Sequence, residues 1–257
     1  MEIVVNNKDV TLPITKSGSG QQIIFFNGGG ATQISWKNVI QQLGGTYETI
    51  TFDFRGHGKA SSSDDHSFNA FLGDAEIVMD TVVSGKPIIV GWSLGADLAV
   101  AYAAEHPGTI RGIVIVDGAA PITAPLVEDE AQMRRALKSL PVRISLFLMK
   151  FTPYRYTIVG DAYADIVVEL DTLRPSLLDV YKKLDCPITM IMATKSAGEK
   201  GSHAERNNKI WREAVERIHE IRPDISIHWI DDSHQLPFKH SVELSRIIDD
   251  FANQVGN

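Results

Sequence analysis

At 257 residues, 44% hydrophobic and 22% charged, the chain carries enough apolar surface for one large core with room for a modest insertion. A formal net charge of -7 excludes a broad phosphate-binding surface, and with it a nucleic-acid scaffold or a protein that binds anionic membranes. The single cysteine, Cys186, precedes Pro187 in an apolar stretch; it excludes an internal disulfide and a cysteine metal cluster and reads as a buried thiol.

Met1 to Asp9 lacks a basic segment followed by an apolar core, so no secretory leader is expected. Short runs rich in Val, Ile and Phe predict strands at 2–5, 10–15, 22–26, 48–53, 87–91, 112–116, 187–193 and 225–230, the first two antiparallel. Helical spacing predicts helices at 35–43, 68–83, 94–105, 203–222 and 240–254, the last with Val242, Ile247, Ile248 and Phe251 on one face. Strands alternating with helices in this way imply an α/β fold around a mostly parallel sheet. The rhythm breaks once, between Asp117 and Pro187. There Met133, Ala136, Leu137 and Leu140, then Ile166, Leu170 and Leu173, recur at helical spacing, punctuated by Pro141, Pro153 and Pro175. The expected organisation is a core of residues 1–120 and 186–257 with a helical cap over 121–185. The apolar run from Ile144 to Phe151, interrupted by Ser145 and Lys150, is too short to span a bilayer, and a cytoplasmic protein is expected.

Candidate chemistry gathers at the ends of the predicted strands. Ile88-Ile89-Val90 leads into Gly91-Trp92-Ser93-Leu94-Gly95, and an Ala-rich helix follows at once. A serine at such a turn is held in a strained backbone conformation, so its neighbours must lack bulk, and the helix start lends positive potential to developing negative charge. Gly91, Gly95 and Ala96 supply the space, and Ser93 is the candidate nucleophile. Asn27-Gly28-Gly29-Gly30 ends the third strand and Asp53-Phe54-Arg55-Gly56-His57-Gly58 the fourth. Asp117 ends the sixth, a loop containing Glu199 follows the seventh, and Asp231-Asp232-Ser233-His234 follows the eighth.

Together these motifs resemble the α/β-hydrolase superfamily along almost the whole chain. The resemblance implies an eight-stranded, mostly parallel sheet flanked by helices, with the cap inserted after strand six. It makes Ser93 the nucleophile and His234, which matches the family's loop histidine, the general base. Asn27-Gly28 stands where the family has a His-Gly loop, so the implied oxyanion donors are the N–H groups of Gly29 and Leu94. One preorganised donor of this kind contributes about 2.7 to 4 kcal/mol in the transition state. The D-x-R-G-x-G turn is structural in the family, which makes His57 a loop-organising residue and not the base. The acid stays open. Many relatives carry it after strand seven in a Gly-x-x-Asp pattern, but that loop holds no aspartate here and only one carboxylate, Glu199. A second known arrangement places it at the end of strand six, where Asp117 stands. Asp117 is the first choice and Glu199 the alternative, while Asp97 is expected to point away from the pocket.

The implied activity is hydrolysis of a small carboxylic ester, with a small-molecule substrate as partner and the chain as monomer or homodimer. Serine at the elbow argues against haloalkane dehalogenases and epoxide hydrolases, which carry aspartate there. Thioesterase, amidase, acyltransferase and carbon-carbon hydrolase activities stay open, as does a ligand-sensing protein that keeps the pocket. H-E-x-x-H, C-x-x-C and G-x-x-x-x-G-K-S/T are absent, and Gly28-Gly29-Gly30 lacks dinucleotide spacing, so no metal and no cofactor is expected. From Ala131 to Gly160 there is no acidic residue, yet Arg134, Arg135, Lys138, Arg143, Lys150 and Arg155 all occur. Most of these charges fit a solvated helix face; the other reading is a lid that attracts an anionic substrate.

Overall fold

Runs such as Ile23-Ile24-Phe25-Phe26 and Ile113-Val114-Ile115-Val116 are apolar at every position, which suits strands covered on both faces. The computed structural model of the chain describes residues 1–256 and places these runs at its centre. The strands are β1 (Glu2–Asn7), β2 (Val10–Ser17), β3 (Gln22–Phe26), β4 (Glu48–Phe52), β5 (Ile88–Trp92), β6 (Gly112–Val116), β7 (Ile188–Lys195) and β8 (Ser226–Ser233). They form one sheet in the order β1-β2-β4-β3-β5-β6-β7-β8. β2 runs antiparallel to both β1 and β4, and every pairing from β4 through β8 is parallel.

The helices are α1 (Lys37–Leu43), α2 (Phe68–Val82), α3 (Leu94–Glu105), α4 (Glu130–Leu137), α5 (Leu140–Met149), α6 (Asp161–Leu173), α7 (Leu177–Tyr181), α8 (Ser202–Ile221), α9 (Leu236–Lys239) and α10 (Ser241–Gly256). Side chains alternate across a strand, so each central strand feeds two cores. Ile24, Phe26, Ile50 and Phe52 join Phe71 and Val78 of α2, Leu98 of α3 and Val215 of α8 on one face. Ile23, Phe25 and Val90 join Val39 of α1 and Ile247, Ile248 and Phe251 of α10 on the other. Cys186 is a buried free thiol, and no helix among the described residues is long and apolar enough to cross a membrane.

Strand order determines where a site can form. β3 and β5 are neighbours, but the chain leaves β3 for β4 on one side and leaves β5 for β6 on the other, so the connections from their carboxyl ends diverge. The crevice opened there is where open α/β sheets bind ligands. Residues 27–30 follow β3 and Ser93 follows β5, so both border this crevice.

Of the differences from the sequence expectation, two have an identifiable cause in side chains. β7 and β8 run on to Lys195 and Ser233, because Thr194 Oγ1 donates to Asp231 Oδ1 at 2.6 Å and Lys195 Nζ lies 3.3 Å from the same carboxylate. Leu140 does not continue the helix of Met133 and Leu137; α4 stops at Leu137 and α5 starts anew. Pro141 is the reason, since its ring is tolerated only in a helix's first turn.

Candidate active site

The turn between β5 and α3 puts Ser93 at φ 54°, ψ -122°, a conformation L side chains rarely adopt and one that costs on the order of 1–3 kcal/mol. The surrounding structure holds it there. Ser93 N–H donates to Val116 O at 3.0 Å, and Ser93 O accepts from Ala96 N–H at 2.9 Å and Asp97 N–H at 3.3 Å. A Cβ on Gly91 would collide with Gly95 O, and one on Gly95 with Phe26 O, so this turn closes only with glycine at both positions. The loop after β3 lies directly against it. A Cβ on Gly28 would sit 3.2 Å from Ser93 Cβ, and one on Gly29 3.8 Å from Leu94 Cδ2. Asn27 secures the loop's start by donating from Nδ2 to Phe52 O at 2.6 Å. Gly29 N–H has no acceptor among the described residues, and Leu94 N–H heads α3, where no intrahelical acceptor exists.

His234 follows β8 directly, and its Nδ1 lies 2.6 Å from Asp117 Oδ2. Its backbone is held by Trp92, whose Nε1–H donates to His234 O at 3.0 Å while the two rings lie 5.4 Å apart. Asp117, fully buried at the end of β6, accepts three further hydrogen bonds. Ala193 N–H and Trp211 Nε1–H reach Oδ1 at 3.0 and 3.1 Å, and Ser196 Oγ–H reaches Oδ2 at 2.7 Å. Burial, the largest single influence, would raise the Asp117 pKa, but the hydrogen bond and charge of His234 together with the bonds from Ala193 and Ser196 outweigh it, and the carboxyl lies below its ordinary value. Glu199 is elsewhere, 65% exposed and 4.0 Å from Lys195 Nζ. Asp97 is buried and points to the inserted segment. Ser93, His234 and Asp117 thus border one cavity of about 190 Å³, while Ser93 Oγ itself makes no hydrogen bond among the described residues.

The rest of that cavity comes from residues with no motif to announce them: Leu126, Arg174, Ser196, Asn207 and Trp211 among others. Leu126 and Arg174 belong to the segment between β6 and β7. Arg174 donates from Nε and Nη2 to the two oxygens of Asp97 at 3.1 and 2.9 Å and lies over the Trp211 ring, 5.2 Å from its centroid. This pins the inserted segment to α3. Arg134, Arg135, Arg143 and Arg155 in the same segment leave nothing local to single out Arg174 in the sequence; its distinguishing partner lies 77 residues away.

The turn after β4 supports the site from below. Asp53 accepts from Gln33 N–H, Gln33 Nε2 and Lys59 N–H, and Arg55 forms a two-pronged pair with buried Asp74 at 2.8 Å on each prong. His57 is buried, with Nδ1 2.9 Å from Arg55 O and Nε2 2.9 Å from Gly30 N. As for metal, Glu76, Glu105 and His106 can bring one ligand atom each within 4.8 Å of one another, at the opposite end of α3 from Ser93.

The sequence model described as "Alpha/beta hydrolase family" matches residues 23–247. A 2-(acetamidomethylene)succinate hydrolase of Mesorhizobium japonicum is 31% identical over 123 residues, 48% of this chain and 42% of that protein. An esterase of Mycobacterium tuberculosis is 31% identical over 102 residues, 39% of this chain and 34% of its own. The aligned stretches thus span less than half the length of these relatives. A thermophilic esterase from Thermogutta terrifontis superposes over 100% of both chains with a TM-score of 0.77 at 18% identity, a likeness of fold.

Proposed function

The chain belongs to the alpha/beta hydrolase family, and from that premise we propose that it is a serine hydrolase cleaving small carboxylic esters through an acyl-enzyme on Ser93. The observation that carries the reading is a strained serine at the sheet's crevice sharing a cavity with a histidine already hydrogen-bonded to a buried aspartate. With Asp117 accepting at Nδ1, His234 keeps its proton there and presents a bare Nε2 towards the cavity. That nitrogen takes the Ser93 hydroxyl proton as Oγ attacks the ester carbonyl, then passes it to the departing alcohol. The oxyanion formed in between is received by Gly29 and Leu94 N–H, whose freedom from other acceptors leaves them available. Water repeats the sequence to release the acid. Asp117 remains a carboxylate throughout and stabilises the imidazolium.

The inserted segment is assigned the role of cap, supported by Leu126 and Arg174 on the cavity wall. The volume of about 190 Å³ suits a short acyl group, being smaller than the roughly 300–1,000 Å³ usual for larger ligands. Fluorophosphonate labelling and turnover of short nitrophenyl esters test the assignment. Wild type is expected to label and turn over, and Ser93→Ala to do neither; a labelled Ser93→Ala protein would defeat it.

A further inference from the structure

His57 is 3% exposed, and both ring nitrogens face backbone. Nδ1 lies 2.9 Å from Arg55 O, which can only accept, so Nδ1 carries a proton. Nε2 lies 2.9 Å from Gly30 N, which can only donate, so Nε2 carries a lone pair. The two bonds together specify a neutral ring in one tautomer. The acceptor side matters because the Gly30 N–H and the Gly29 carbonyl share one peptide plane. Anchoring that plane sets how Gly29 is turned about its Cα, and with it the aim of Gly29 N–H beside Ser93.

We propose that His57 is a positioning residue for ester hydrolysis, acting through the Gly29–Gly30 peptide to aim the oxyanion donor. The inference rests on the serine-hydrolase reading above. The inserted segment holds the ring in place. Tyr156 stacks on it at 22° with centroids 6.1 Å apart, and the edge of Phe71 from α2 meets it at the same distance. On either side, Gly58 N–H donates to Arg155 O at 2.8 Å and Thr157 N–H to Gly56 O at 2.7 Å, so this strap and the turn after β4 form a short paired unit. The cap strap therefore supports His57, and His57 supports the oxyanion loop. The titratable groups facing the ring are Asp53 and Asp74, Arg55 and His66 from the turn and α2, and Tyr156 from the strap. Burial outweighs the two carboxylates and pushes the His57 pKa down, in keeping with a ring that must stay neutral. A second proton would set N–H against N–H at Gly30 and displace the loop.

The test compares His57→Leu, which removes the acceptor, with His57→Gln, whose Oε1 can replace it. His57→Leu is expected to lower kcat by about 10- to 100-fold with KM within about 3-fold, the scale of a misaimed catalytic group. Affinity for a boronic acid, which mimics the tetrahedral state, should fall in parallel, and His57→Gln should restore most of both. Melting temperatures recorded on the same samples separate this from simple destabilisation, which would lower both variants' stability and leave kcat per folded molecule unchanged. If His57→Leu does not fold, nitrogen-15 shifts of the wild-type ring decide: a bare Nε2 and protonated Nδ1 at neutral pH are required. Wild-type kcat in folded His57→Leu, equal losses in both variants, or an Nε2-protonated ring each overturns the proposal. Ser93→Ala, measured alongside, keeps the two readings apart: turnover surviving there defeats the serine-hydrolase assignment, whereas its silence with a wild-type kcat in His57→Leu defeats only the role of His57.

Discussion

Asp117 accepts four hydrogen bonds although it is fully buried, from Ala193, Ser196, Trp211 and His234. Such a carboxylate is preorganised: in the mechanism proposed above it would not need to move to receive a charge developing on His234, and its donors favour the ionised form. Asp117→Asn should therefore lower kcat on the order of 10³- to 10⁴-fold, because an amide can present its NH₂ to Nδ1 and turn the imidazole to the wrong tautomer. Glu199→Gln should leave kcat within about 2-fold, since an exposed pair with lysine contributes little. Steady-state turnover of a nitrophenyl ester by both variants checks the pair of expectations, and the reverse pattern would move the acid to Glu199. At this scale the sequence went far with Ser93, whose glycine neighbours and strand-to-helix setting are local. It left the acid open, because Trp211 and Asp117 are 94 positions apart and their contact has no local trace.

Among the elements, α3 connects both halves of the site: Ser93 stands at its head, and Asp97, one turn on, holds Arg174 of the inserted segment. Both partners are buried, with side chains 9% and 3% exposed, so removing one leaves an uncompensated charge. Arg174→Met should destabilise the fold by about 3–5 kcal/mol in chemical denaturation, and the double variant with Asp97→Leu should recover most of that loss. Additive losses instead would show that the pair is not coupled. Element positions were largely legible, because short continuous apolar runs and helical stripes are local signals. Ends were less so. β7 and β8 extend through the cross-strand bonds of Thr194 and Lys195 to Asp231, and the split at Ser139 follows from Pro141, whose ring admits the start of a helix but not its middle.

The molecule as a whole should lose stability on acidification in two stages. Burial depresses His57, and burial followed by Arg55 depresses His66, so between their ordinary 6.5 and their lower folded values the unfolded chain binds more protons. Stability should thus fall as pH drops from about 7 towards 5. Asp117 is also held below its ordinary 3.8, and its contribution, present above that value, is lost as pH falls through the folded one. Urea denaturation across pH 3 to 8 checks this, and His57→Gln should flatten the upper stage; stability rising from pH 7 to 5 would contradict it. Covalent order alone determined the strand-helix alternation, the elbow at Ser93, the glycine loop and the long gap after Asp117, because each is written in neighbouring residues. Tertiary structure alone decided which carboxylate meets His234, what walls the cavity and which tautomer His57 holds. Those depend on side chains far apart in sequence whose donors and acceptors become partners only when the sheet brings its strand ends to one edge.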